Sequence, residues 1–235
     1  MQTEPETLKV LVSERDSVTA LLYPAAKKER AGITILLGHG AGANQLSGFM
    51  REFAAGLASR GFDAMTFNFI YMEQGRHVPD QKAKLESCYR AVIAAALRHK
   101  KLKNNRLVIG GKSMGGRIAS QVAASATENG EVLVESIFGL AFLGYPLHPP
   151  GNPEKLRAEH LKNIRAPMLF VQGTRDSLGA AAEIRPIIKQ LRLPATLFAI
   201  EGGDHSFKVP KSSGLTQAEV HATVLDEMMR WMLSL

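Results

Sequence analysis

At 235 residues, with 45% hydrophobic and 22% charged side chains, the chain has the composition of an ordinary globular protein. Its length suits one large α/β domain over residues 1–235 better than two small ones. The formal charge of +7 sits mainly in two small groups, Lys27-Lys28-Glu29-Arg30 and His99-Lys100-Lys101-Leu102-Lys103. Neither is interleaved with aromatics, and no helix-turn-helix, RNA-recognition or zinc-finger pattern accompanies them, so nucleic acid is not an expected partner. The lone Cys88 excludes an internal disulfide and fits a reducing compartment. The acidic, polar start Met1 to Glu6 lacks a signal-peptide pattern, and no apolar run approaches the roughly 20 residues of a membrane span. A cytoplasmic location away from membranes is expected.

Short apolar, β-branched runs predict strands over 8–12, 18–23, 33–37, 62–69, 107–110, 137–143, 168–172 and 196–200. The first two, joined by a polar turn, read as an edge hairpin. The later ones are mostly continuous apolar runs, as expected for strands covered on both faces. Helices fill the gaps. Leu46, Met50, Phe53 and Leu57 mark one apolar face, and Leu85, Cys88, Tyr89, Val92 and Ala96 another. A third helix follows Ser113, and a fourth covers about 180–191, with Pro186 expected near its start or at a kink. The last carries Val224, Leu225, Met228 and Met232 at helical spacing. Such alternation predicts a mostly parallel, eight-stranded sheet with helices on both faces. Chemistry in such sheets gathers at the carboxyl ends of the strands.

Three of those ends carry reactive residues. Leu107 to Gly110 runs into Gly111-Lys112-Ser113-Met114-Gly115-Gly116 and then a helix. This is G-x-S-x-G in the strand–turn–helix context of a nucleophile elbow, where flanking glycines let strand and helix approach. The strand over 168–172 ends in Gly173-Thr174-Arg175-Asp176, and the next in Glu201-Gly202-Gly203-Asp204-His205. Ser113, Asp176 and His205 arrive in the chain order of an α/β-hydrolase triad. His39 precedes the nucleophile and His221 lies inside the final helix. Asp204 reads as a turn-former, and Glu201 is a lesser alternative acid.

An acyl-transfer site also needs two N–H donors for the developing oxyanion. Met114 should supply one. The loop Gly38-His39-Gly40-Ala41-Gly42-Ala43 should supply the other, from Ala41 first and Gly42 second, with His39 packing behind it. The same loop partly matches a dinucleotide fingerprint, but it follows the third strand and competes with the triad for one sheet edge. Gly111-Lys112-Ser113 resembles the end of a P-loop, yet Arg106 stands where that motif needs glycine. The seven histidines show no metal-ligand spacing. Neither metal nor organic cofactor is expected.

Four stretches carry a family resemblance: 67–76, 110–117 (Gly110 to Arg117), 144–151 (Gly144 to Gly151) and 203–208 (Gly203 to Lys208). Over about residues 33–235 the chain resembles dienelactone-hydrolase-like α/β hydrolases, a group that includes relatives of the animal testis-expressed and NSL chromatin-complex subunit proteins. The resemblance implies the α/β-hydrolase fold and supports Ser113, Asp176 and His205. Ile70 stands where the family usually has proline. Dienelactone hydrolase itself uses cysteine as nucleophile, so serine here argues against dienelactone as the substrate.

The expected reaction is cleavage of a small ester-like bond by a serine hydrolase of carboxylesterase type. Ser113 would attack, His205 take its proton and Asp176 orient the imidazole. Activity of this kind rises with pH through the ordinary imidazole range. The triad alone leaves a thioesterase or small-peptide hydrolase open, and a non-catalytic scaffold on the same fold is the reading from another class. The 23 residues from Gly144 to Ala166 carry four prolines, too few and too stiff for a multi-helix lid, so no large cap is expected. Tyr71, Glu73, Arg76, Tyr145 and Lys208 fall in loops near the same edge. Loop-stabilising ion pairs are the plainer reading for them, and substrate contact, with Arg76 or Lys208 on an anionic group, the sharper one.

Overall fold

The computed structural model describes residues 4–26, 28, 30–131, 133–191 and 194–235. Met1 to Thr3, and Lys27 and Glu29 of the first basic group, lie outside the described residues. These residues form one eight-stranded sheet of β1 (Glu6–Leu11), β2 (Ser17–Tyr23), β3 (Ile33–Gly38), β4 (Asp63–Phe67), β5 (Arg106–Lys112), β6 (Ile137–Leu143), β7 (Met168–Gly173) and β8 (Ala195–Ile200), in the spatial order β1-β2-β4-β3-β5-β6-β7-β8. β1 pairs antiparallel with β2, and β2 with β4; every pairing beyond is parallel. The Asp16 carbonyl closes the β1–β2 turn by accepting from Val12 and Ser13.

Every residue of β3 and β4 is buried, because helices cover the sheet on both sides. On one face α1 (Gly48–Ala58) and α7 (Gln217–Ser234) bring Met50, Phe53, Leu57, Val224 and Met228 onto Ile35, Leu37, Val108 and Val171. On the other, α3 (Lys82–Arg98) and α4 (Met114–Glu128) set Tyr89, Val92, Ile118 and Val122 on Leu36, Ile109, Leu140 and Phe142. The single turn α5 (Leu133–Ser136) leads into β6, and α6 (Ala181–Lys189) adds Ile184 to this second core. No helix of the described residues is long and apolar enough to cross a membrane.

Three expectations about the elements change. β4 stops at Phe67, two residues short of the expected end at residue 69, and a single turn, α2 (Ile70–Glu73), follows. Phe69 leaves the sheet because its N–H turns to donate to His39 Nε2 at 3.1 Å. Leu46 is 55% exposed and precedes α1: Asn44 builds a local turn instead, accepting from Leu46 N–H on its side chain and from Ser47 N–H on its carbonyl. Pro186 sits in the second turn of α6, where its missing N–H leaves the Ala182 carbonyl without an intrahelical donor. Between β6 and β7 lies only a loop with one 3-10 turn, Glu159–Asn163, so there is no cap domain among the described residues.

Candidate active site

The site begins where β5 turns sharply into α4. Ser113 holds φ 51° and ψ −115°, a conformation that L residues rarely adopt. The turn requires bare backbone on both sides. A Cβ on Gly111 would lie 2.2 Å from the Gly38 carbonyl oxygen, and one on Gly115 only 2.1 Å from it. Tyr89 of α3 braces the strand below: its hydroxyl accepts from Gly110 N–H at 3.0 Å and contacts the Gly110 carbonyl at 2.7 Å.

Three loops then converge. Ser113 Oγ is 2.8 Å from His205 Nε2, and His205 Nδ1 is 2.8 Å from Asp176 Oδ2. Asp176 is 3% exposed, and its Oδ2 also accepts from Gln172 Nε2 while its Oδ1 accepts from Leu178 N–H, each at 2.8 Å. An acceptor-only carboxylate fixes the imidazole tautomer: Nδ1 carries the proton, and Nε2 is left to accept from the serine. Asp204 spends its Oδ1 on Ser206 and Lys208 N–H and so closes the turn that carries His205. Glu201 is exposed and touches Thr174, not His205.

A cavity of about 450 Å³ opens beside Ser113, lined among others by Gly40, Ala41, Phe49, Met50, Lys112 and His221, with Lys208 and Gln217 at its exposed rim. Met114, as first residue of α4, has an N–H without an intrahelical acceptor. Ala41 lines the cavity and Gly42 does not. His39 is fully buried behind the loop, its Nδ1 donating to the Gly40 carbonyl at 2.8 Å.

The candidate substrate contacts are sorted by burial. Tyr71 is fully buried, stacked with Phe69 and edge-on to His39, and burial pushes its hydroxyl up to about 12. Tyr145 is fully buried as well and donates to the Arg157 carbonyl at 2.7 Å. Neither lines the cavity, which corrects the expectation that they meet substrate; large aromatics in these loops fill core. Arg76 is likewise removed from the cavity, pairing with Asp80 at 2.6 Å. Of the four, only Lys208 reaches the cavity. Gln172, Lys112 and His221 were not expected at the site. Gln172 is the one a sequence signal marked, as the polar last-but-one residue of an otherwise apolar, wholly buried strand.

One buried and one half-buried histidine affect stability. Burial pulls His39 down to about 4; burial first, and then nearby Lys82 and Arg117, bring His160, beside Ser120 at 2.8 Å, also to about 4. Unfolded imidazoles take up a proton near the usual 6.5, so between there and about 4 the unfolded chain binds more protons. Stability is therefore full above about pH 6.5 and is lost as pH falls toward about 4, by at most on the order of 3 kcal/mol for each histidine. Urea midpoints should drop between about pH 7 and about pH 5, and His160→Gln should shrink that drop. An equal drop in the variant would show that His160 is not a source.

The alpha/beta hydrolase domain family model matches residues 31–233. Solved structures share the whole architecture at low identity. A dienelactone hydrolase from Anabaena variabilis superposes with a TM-score of 0.75 at 18% identity, covering 100% of this chain and 99% of its own. Est1E from Butyrivibrio proteoclasticus, with ferulic acid bound, gives 0.75 at 15%, covering 97% and 100%. A lidless α/β serine hydrolase from Xanthomonas campestris gives 0.70 at 15%, covering 98% and 96%. With the family's fold spanning the chain and its elbow in place, this protein belongs to the alpha/beta hydrolase domain family.

Proposed function

We propose that the protein is a serine hydrolase of carboxylesterase type that cleaves a small ester-like substrate through an acyl-enzyme. The observation that carries the reading is the continuous hydrogen-bonded run from Ser113 through His205 to Asp176, at 2.8 Å and 2.8 Å, facing an open cavity. Each residue has a role. His205 Nε2 takes the proton of Ser113 Oγ as that oxygen attacks the carbonyl carbon, and Asp176 stabilises the imidazolium that results. The Met114 and Ala41 N–H groups receive the oxyanion. Collapse of the tetrahedral species expels the alcohol, which takes the proton back from His205. Water then repeats the sequence on the acyl-enzyme, with His205 again the base. The absence of a cap among the described residues supports small, soluble substrates, since nothing encloses a long chain.

The test is a fluorophosphonate probe. The wild type should label and Ser113→Ala should not, and Ser113→Ala should lose on the order of 10⁴-fold or more in kcat for a short p-nitrophenyl ester. A folded wild type that refuses the probe overturns the reading.

A further inference from the structure

Lys112 ends β5 immediately before the nucleophile, yet its side chain runs under the site and the residue is only 8% exposed. Its stem passes Gly40, where a Cβ would lie 3.7 Å from Lys112 Cγ. The ammonium reaches the turn after β8 and donates to the His205 carbonyl at 2.5 Å. It also lies 5.7 Å from the ring centroid of Phe49 and 5.8 Å from that of Phe207, within cation–π range. Room for it exists because residue 144 is glycine: a Cβ there would sit 3.0 Å from Nζ.

β6 and β7 lie between β5 and β8, so no strand pairing joins the serine's strand to the histidine's. Lys112 makes that connection directly. One side chain thus contacts the elbow's own strand, the Gly40 turn and the His205 turn. Burying an ammonium is unfavourable unless it is paired, and a leucine or methionine would fill the same space without that penalty. The His205 carbonyl gives the charge a use.

We propose that Lys112 is a positioning residue for the base: its protonated amine ties the His205 main chain to the residue before Ser113 and holds imidazole and hydroxyl in register. The inference rests on the triad reading above. Lys112 takes no proton and forms no bond in the reaction. Facing it are Asp176 from the loop after β7 and Asp204 and His205 from the turn after β8. Lys208 stands at the cavity rim, and His221 of α7, beside Glu52 of α1, lies across the cavity. Burial pulls the lysine down to about 8, against the raising influence of the two aspartates. The charged form is therefore present below about pH 8 and lost above it. A neutral amine still donates, but about half as strongly.

Lys112→Met keeps most of the length and removes the charge and the donor. Its kcat on a short ester should fall about 10- to 100-fold, with KM within about twofold, as expected when geometry rather than binding is lost. Wild-type kcat should decline several-fold between about pH 8 and about pH 10, and that decline should vanish in Lys112→Met. Lys112→Arg, charged throughout this range, should recover part of kcat and show no alkaline decline. An unchanged kcat in folded Lys112→Met overturns the proposal. Should Lys112→Met fail to fold, Lys112→Arg carries the test: an alkaline decline as large as the wild type's in that variant overturns the proposal. Failure of the triad reading is separate, since it appears as a wild type that does not take the fluorophosphonate probe.

Discussion

Asp176→Asn should lower kcat/KM on a short ester by about 10³-fold or more while the chain stays folded. The reason lies in the donors around the carboxylate. His205 Nδ1 and Gln172 Nε2 both point at Oδ2, and Leu178 N–H points at Oδ1. A carboxylate accepts from all three, whereas an amide brings one oxygen and one NH₂ group. If the NH₂ replaces Oδ2, it meets two donors, and His205 must give up its Nδ1 proton; Nε2 then carries one and cannot accept from Ser113. If it replaces Oδ1, it meets only Leu178. The second arrangement leaves fewer conflicts, so the imidazole keeps its orientation and the rate loss is chiefly that of the counter-charge to the imidazolium. One unpaired buried donor costs about 1–3 kcal/mol, so the urea midpoint should fall without loss of the fold. Asp204→Asn is the matched comparison, because the Asp204 side chain bonds the Ser206 and Lys208 N–H groups and not the His205 imidazole, and its substitution should cost less than about 10-fold in rate. Equal losses in the two variants would show that Asp176 is not the acid partner.

The candidate site residues were legible in the sequence because each follows a continuous apolar strand at short range. Ser113, Asp176 and His205 are placed by strand ends, and strand ends are legible from hydrophobic runs and glycine punctuation. The elbow was readable for the same reason, since Gly111 and Gly115 are required by the approach of β5 and α4 to Gly38. What surrounds these three residues was harder to see. Gln172 reads as a polar strand terminus until β6 and β7 lie side by side and its amide meets both Tyr145 and Asp176. Lys112 reads as surface until β8 is set three strands away, with β6 and β7 between. His221 looks like an ordinary position of the last helix, and it reaches the cavity only because α7 packs beside α1. Tyr71 and Tyr145 misled in the opposite sense. Their loops lie at the reactive edge, but aromatic side chains of that size bury when the loop folds back, and α2 is one turn, too short to show a helical period.

Gly115→Ala should be far more damaging than Gly48→Ala, although both exchange glycine for the best helix former in the first turn of a helix. Gly48 opens α1 with nothing within 4 Å of where the methyl would sit and with φ outside the left-handed region, so alanine there should change stability by less than about 1 kcal/mol, in the stabilising direction. At Gly115 the same methyl would lie 2.1 Å from the Gly38 carbonyl oxygen and 2.3 Å from its carbon. Both are backbone atoms of the last residue of β3, fixed by pairing with β4 on one side and β5 on the other. No rotamer relieves the contact, so α4 must move off the sheet by about 1 Å, opening the packing of Ile118 and Val122 beneath it at about 4 kcal/mol or more. That movement carries Ser113 and the Met114 N–H away from His205 and the Gly40 turn, and a displacement of this size costs about 10²-fold in rate. Urea midpoints and kcat measured on the two variants should separate them on both scales. A Gly115→Ala protein with the wild-type midpoint and rate would mean that the elbow tolerates a wider gap between α4 and β3 than its geometry requires.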